Sequence, residues 1–358
     1  MNYRVYKFHA RKQYAADTTE VIDLKMVDPI TSIMLMFEMY KSGVVQTAHP
    51  LAAVTKIELV DGSDVLFSLD GFQAEALDWY DRGGRFRSNY NYANTGGTVT
   101  RCVGINFGRY PFDPDWAFDP KKFTNPQLRI SLDIDGWAAT GTYVYITGYA
   151  NLFDQKIVSP RGFFMSKEVK KWTMASATHE YTDLPLDYPY RGIYFRPYLL
   201  GTEPNQCVTN FKLSEDQDKK IPYDLDADAI LRSVVDAYPP VEEAWWFSLD
   251  TSNRYLYITP TTRVTAVGEV WAEAAVAQDP AFYDGDGGQL KTIAAANPSN
   301  TQIHVKGWVP HCVYEIPCGR KDDPNDFYNV RALGSLRADI TGAAAATGYL
   351  FLQQAREY

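Results

Sequence analysis

Between residues 128 and 134 apolar and polar side chains alternate without a break. Leu128, Ile130, Leu132 and Ile134 point one way, and Arg129, Ser131 and Asp133 the other. A period of two predicts a strand with one face in a core. Val54 to Leu59 alternates too, with Val54, Lys56 and Glu58 on one face and Thr55, Ile57 and Leu59 on the other; an Asp61-Gly62 turn signal follows. Ile33-Met34-Leu35-Met36-Phe37 and Ile193-Tyr194-Phe195 are short apolar runs between turn formers, the pattern of a buried sandwich strand. Thr142 to Tyr149 and Thr347 to Gln353 read as closing strands, whereas Phe72 to Tyr80 and Ala227 to Ala237 look helical.

These elements come in pairs. Shifting residues 17–35 by 160 lays them on 177–195, with Thr18/Thr178, Glu20/Glu180, Asp23/Asp183, Leu24/Leu184, Pro29/Pro189 and Ile33/Ile193 identical. Six identities in nineteen positions compare with about one by chance, and such self-similarity precedes any fold assignment. Val54 to Leu59 matches Val208 to Leu213 at an offset of 154, and Leu69-Asp70 matches Leu225-Asp226 at 156. Asp133-Ile134 and Gly136 match Asp339-Ile340 and Gly342 at 206, as does Tyr143 to Ile146 with Tyr349 to Leu352. A period this long denotes two domains of ordinary size, the second enlarged by about fifty residues.

Each copy therefore predicts about eight strands and one short helix, which an eight-stranded, two-sheet jelly roll fits best. The expected division is a basic N-terminal arm at 1–16, a first roll at 17–153, a linker at 154–176 and a second roll at 177–358. The insertion lies at about 240–305. Within it Trp245 to Leu249 and Arg254 to Ile258 flank Asp250-Thr251-Ser252-Asn253, which predicts a hairpin.

Composition narrows the class. The 358 residues hold 25 Tyr and carry a net charge of −9, which argues against bulk wrapping of nucleic acid; no specific nucleic-acid motif is present. Four cysteines, Cys102, Cys207, Cys312 and Cys318, are too few for a disulfide framework. No apolar run reaches the roughly 18 residues of a membrane span, and no signal-peptide core opens the chain. The expectation is synthesis in a cytoplasm, soluble until assembly.

Two tandem jelly rolls in one chain, each with a helix after its early strands, resemble the double jelly-roll major capsid proteins of tailless icosahedral viruses and phages, many with an internal membrane. The paired blocks at 17–35 and 177–195, the paired Val-Thr blocks and the paired closing strands carry the likeness. Asp183-Leu184-Pro185-Leu186-Asp187-Tyr188-Pro189-Tyr190-Arg191-Gly192 also looks like the start of a second roll in that family. The resemblance implies a structural protein, not an enzyme. It implies a homotrimer whose six rolls form a pseudo-hexagonal capsomer in a virion shell. Neighbouring capsomers, penton or spike proteins and minor capsid proteins are the implied partners, with 240–305 as an outward tower.

Residues 1–16 hold Arg4, Lys7, Arg11 and Lys12 and no acidic residue. In a helix Arg4, Lys7 and Arg11 would share a face. One reading is an arm that faces the interior and touches anionic lipid or genome. The other is a solvated tail that orders on assembly. Deleting 1–16 is then expected to spare the trimer and impair the shell.

The sequence assigns no catalytic, cofactor-binding or metal residue. His304, His311, Cys312 and Cys318 have the wrong spacing for zinc, which favours buried free thiols. Asp284-Gly285-Asp286-Gly287 lacks the distal Glu of a calcium loop. Glu269, Trp271 and Glu273 could share a strand face as in some jelly-roll glycosidases, but four residues of strand span about 13 Å against the roughly 5 Å retaining chemistry needs. The rival to the capsid reading is a secreted, bilobed β-sandwich that binds or cleaves glycans.

Overall fold

The chain opens with a strand, β1 (Tyr3–Tyr14), where the spacing of Arg4, Lys7 and Arg11 suggests a helical face. A single helix of this length is marginal in water, whereas Tyr, Phe and Val suit a strand that finds a partner. The computed structural model describes residues 2–42, 46–92, 96–138, 141–155, 157–248, 254–271, 282–283, 285–292 and 300–358. After β1 come β2 (Thr18–Asp23), β3 (Ile30–Ser42), β4 (Val54–Asp61), β5 (Asp64–Leu69), α1 (Gly71–Asp81), β6 (Tyr90–Tyr92), β7 (Gly96–Asn106), β8 (Pro126–Leu132) and β9 (Gly141–Phe153). The second half runs β10 (Gly162–Thr173), β11 (His179–Asp183), β12 (Tyr190–Tyr198), α2 (Pro204–Cys207), β13 (Val208–Glu215), β14 (Lys220–Asp226) and α3 (Ala227–Ala237). It continues with β15 (Val241–Ser248), β16 (Arg254–Tyr257), β17 (Pro260–Trp271), β18 (Phe282–Tyr283), β19 (Gln289–Thr292), β20 (Asn300–Pro310), β21 (Tyr314–Pro317), β22 (Leu336–Gly342) and β23 (Thr347–Glu357).

The sheets repeat strand for strand. In the first half, β1-β9-β3-β7 faces β2-β8-β4-β5; in the second, β10-β23-β12-β21 faces β11-β22-β13-β14. Thus β1 and β10 are counterparts, both twelve residues long and offset by 159. This corrects the division read from the sequence: residues 3–14 are the first roll's opening strand, and 162–173, inside the expected linker, are the second's. The matched Leu69-Asp70 and Leu225-Asp226 are helix starts. Asp70 accepts from the Gln73 amide at 2.7 Å and Asp226 from that of Ala229 at 2.7 Å, which satisfies otherwise unpaired donors.

Strand patterning holds with one local exception. Along β8 every second residue is buried. In β4 a bulge between Val54 and Lys56 carries Val54 into the core with Ile57 and Leu59, where strict alternation puts it opposite them.

The rolls are joined edge to edge. β5 pairs in parallel with β10, Phe67 with Ser166 and Ser68 with Lys167, so two four-stranded sheets run together as one of eight. One contiguous core spans both halves. The insertion has its own core of Trp245, Phe247, Leu256, Ile258, Leu290, Ile303 and Val305. Its strands form two small sheets, β17-β20-β15-β6 and β16-β19-β18. Among the described residues the two arms of the predicted hairpin do not pair with each other: β15 pairs with β20 and β16 with β19, because each finds a longer-range partner; the predicted turn at 250–253 lies outside the described residues. β6, from the first half, joins β15 in parallel.

Candidate functional site

The densest chemistry lies in the seam between the rolls, and α1 organises it. A surface helix has a polar side, yet α1 buries Gln73, Glu75 and Asp78 as well as its apolar residues. Such groups are stable inside only when paired and hydrogen bonded. Glu75 receives two hydrogen bonds from Arg101 of β7, at 3.0 and 2.5 Å. The same guanidinium donates to Asn91 at 2.9 Å and to Thr259 at 3.1 Å. It lies 3.6 Å from Glu243, which accepts from the Thr259 amide and hydroxyl, both at 2.8 Å. First-half residues 75, 91 and 101 therefore interlock with second-half residues 243 and 259.

His311 closes this network from the second roll, its Nε2 2.7 Å from Glu75. Its ring packs edge-on against His49, with centroids 4.8 Å apart. The backbone that delivers it is left-handed at Val309, His311 and Cys312, a conformation costing about 1–3 kcal/mol per residue outside glycine. Burial holds His311 below its ordinary range, partly offset by Glu75. Burial holds His49 further below, helped by His311, Arg101 and Arg196. Burial pushes Glu75 upward, but Arg101 and His311 outweigh it and leave its carboxyl below the ordinary range.

The donor atoms of His49, Glu75 and His311 lie within 4.8 Å of one another, a set chemically suited to zinc. The surroundings do not suit a cation. Both Glu75 oxygens are engaged by Arg101, and Arg196 stands close by. The triad is better described as an internal ion-pair knot that locks one roll to the other.

A second knot lies beside it. Arg191 pairs with Asp81 and donates to Gln353 at 2.6 Å, and Gln353 donates back to Asp81 at 2.9 Å. Lys321 reaches Glu315 at 2.5 Å, and Tyr194 and Tyr238 donate to the same carboxylate. Arg196 donates to the His311 carbonyl at 3.0 Å and lies 4.6 Å over Phe72. At the β5–β10 joint, Arg356 holds Asp64 with contacts of 3.0 and 2.6 Å.

The sequence-selected residues are scattered. His311 enters the seam, but with His49 and Glu75 and not with a cysteine cluster. Cys312 and Cys318 are buried free thiols and His304 lies on β20. Burial pushes the Cys312 thiol up to about 12. Glu269 and Trp271 fall on β17 opposite Gln302 and Asn300, their side chains, like Glu273 and Asp284, lying outside the described residues. Of the four basic residues of β1, Arg4 pairs with Asp28 at 2.6 Å, Arg11 with Glu38 at 2.6 Å and Lys12 with Glu20 at 2.8 Å. Lys7 lies over the Tyr149 ring and, among the described residues, has no carboxylate partner.

Paired eight-stranded rolls of this connectivity define the double jelly-roll fold, the fold of viral major capsid proteins. Across 99% of this chain and 96% of the other, the structure superposes on the crystal structure of the STIV MCP with a TM-score of 0.61 and 11% identity. The major capsid protein P2 from bacteriophage PM2 matches with a TM-score of 0.58 and 9% identity, over 99% of this chain and 98% of that one. The PBCV-1 virus capsid matches at 0.57 and 10%, over 99% and 94%. No family model and no curated sequence matches the chain.

Proposed function

We propose that this chain is the major capsid protein of a tailless icosahedral virus or phage, and that three copies close into a tile of six rolls. The head-to-tail joint carries the reading. The first roll offers its β5 edge and the second its β10 edge, so the contact uses two different edges of one repeated unit. Contacts of that kind propagate and, when the rotation allows, close into a ring. Two rolls per chain and six per near-hexagonal tile make three chains. Tiles would then meet one another and, in the shell, penton, spike and minor capsid proteins.

The insertion, with its separate core, is the natural outward tower. The basic residues of β1 (Arg4, Lys7, Arg11 and Lys12) would face the interior, toward anionic lipid or genome. Arg4, Arg11 and Lys12 keep 40%, 48% and 53% of their side chains exposed while paired.

Light scattering on the purified chain tests the tile. The expected mass is three times 40.5 kDa, with hexagonal outlines in negative stain; a monomer at every concentration overturns the proposal. Co-sedimentation with phosphatidylserine vesicles tests the inward face, and equal binding by a variant with all four basic residues changed to Gln would reject it.

A further inference from the structure

The joint inside the chain specifies a joint between chains. β5 has β14 as its counterpart and β10 has β1, and both counterparts lie at free edges of their sheets. We infer that β1 of one copy pairs in parallel with β14 of the next, bringing Val5 against Ile221. This inference rests on the trimeric tile proposed above.

Three observations converge on it. The first is register. Ser166 and Phe67 pair within the chain; aligning the first residues of β1 and β10, an offset of 159, and applying the 156 offset between β5 and β14 translates them to Lys7 and Tyr223. Two residues earlier on each strand stand Val5 and Ile221.

The second is burial. At the internal joint Phe163, Phe164 and Met165 of β10 and Leu66 and Phe67 of β5 are buried. The counterparts of Phe164 and Met165 are apolar but uncovered, Val5 being 66% exposed and Tyr6 44%; on β14, Ile221, which matches Val65 of β5, is 43% exposed. An exposed apolar edge strand is a template for another chain, and here two such edges carry matching positions.

The third is charge. Lys7 has no carboxylate partner among the described residues of its own chain. The translated register sets its neighbour Phe8 beside Asp224, an exposed acid on the β14 edge. β1 is wholly basic in its charged residues, while β14 carries Asp224 and Asp226 and one cation, Lys220, which Glu215 of its own chain holds at 3.0 Å.

Mixing two single variants, Val5→Cys and Ile221→Cys, isolates the contact, because a disulfide between positions 5 and 221 can then form only between chains. Both sites are exposed, so neither substitution disturbs a core. Oxidation of the mixture should give a covalent dimer with a 5–221 bridge by peptide mass, and the double variant should give covalent trimers. Val5→Asp should weaken trimer association about tenfold or more. A trimer that forms no 5–221 bridge and ignores Val5→Asp overturns this pairing and leaves the tile standing. A wild-type chain that stays monomeric overturns both, and covalent chains longer than three would keep the pairing but reject closure at three.

Discussion

Arg101 and Glu75 form a bidentate pair between β7 and α1, both side chains fully enclosed where the two rolls meet. Removing the cation strands Glu75 and Glu243 together in the interior. Arg101→Met should therefore cost about 3–5 kcal/mol, measured by urea unfolding. Glu75→Gln should cost less, since Arg101 keeps Glu243. A loss below about 1 kcal/mol for Arg101→Met would show that the pair behaves as a solvated one.

The two seam histidines make the molecule acid-sensitive. Burial keeps both neutral below their ordinary range, so as pH falls through about 6.5 the unfolded chain takes up protons that the folded chain refuses. Their stabilisation is present above that pH and is lost below it, by about 1.4 kcal/mol per unit of depression. Glu75, itself depressed, keeps its contribution down to the ordinary carboxylate range and loses it as pH falls further. Tm should drop between pH 7 and pH 5. His49→Asn retains an acceptor for the Leu51 amide and should flatten that drop; an unaltered pH profile would rule out His49 as a source.

The insertion should unfold apart from the rolls. Trp245 is fully buried in the small separate core, and Trp245→Ala should cost about 3–5 kcal/mol. Hydrogen exchange is expected to quicken in β15, β17 and β20 while β3 and β12 stay protected. Uniform loss of protection would mean that the second core is coupled to the first.

Truncation of residues 1–14 should destabilise the chain itself. It bares the edge of β9, to which β1 is paired, and removes the Tyr3 contacts with Phe112 and Phe153. A fall in Tm on the order of 5 °C is expected. An unchanged Tm would restore the reading of this segment as a dispensable arm.

How much of this was legible depended on whether a residue's environment is the same in both copies. The block at 177–195 is β11 and β12, the Val-Thr blocks open β4 and β13, and the Leu-Asp pairs cap α1 and α3. In each case both copies ask the same of the side chain. β1 and β10 share no sequence match because one lies at a free edge and the other in a joint, so Arg4-Val5-Tyr6 stands where Phe163-Phe164-Met165 stands. The seam was invisible for another reason. Glu75 and His311 are 236 positions apart, and no local spacing announces a pair that only the completed fold brings together.

The position of β23 has a consequence for how the protein is made. β23 lies in the middle of its sheet, between β10 and β12, and not at a rim. The first roll is complete once residue 153 has emerged from the ribosome, and domains generally fold in that order. The second roll stays open at its centre until β23 is in place. A chain that lacks β23 therefore lacks a keystone rather than a fringe.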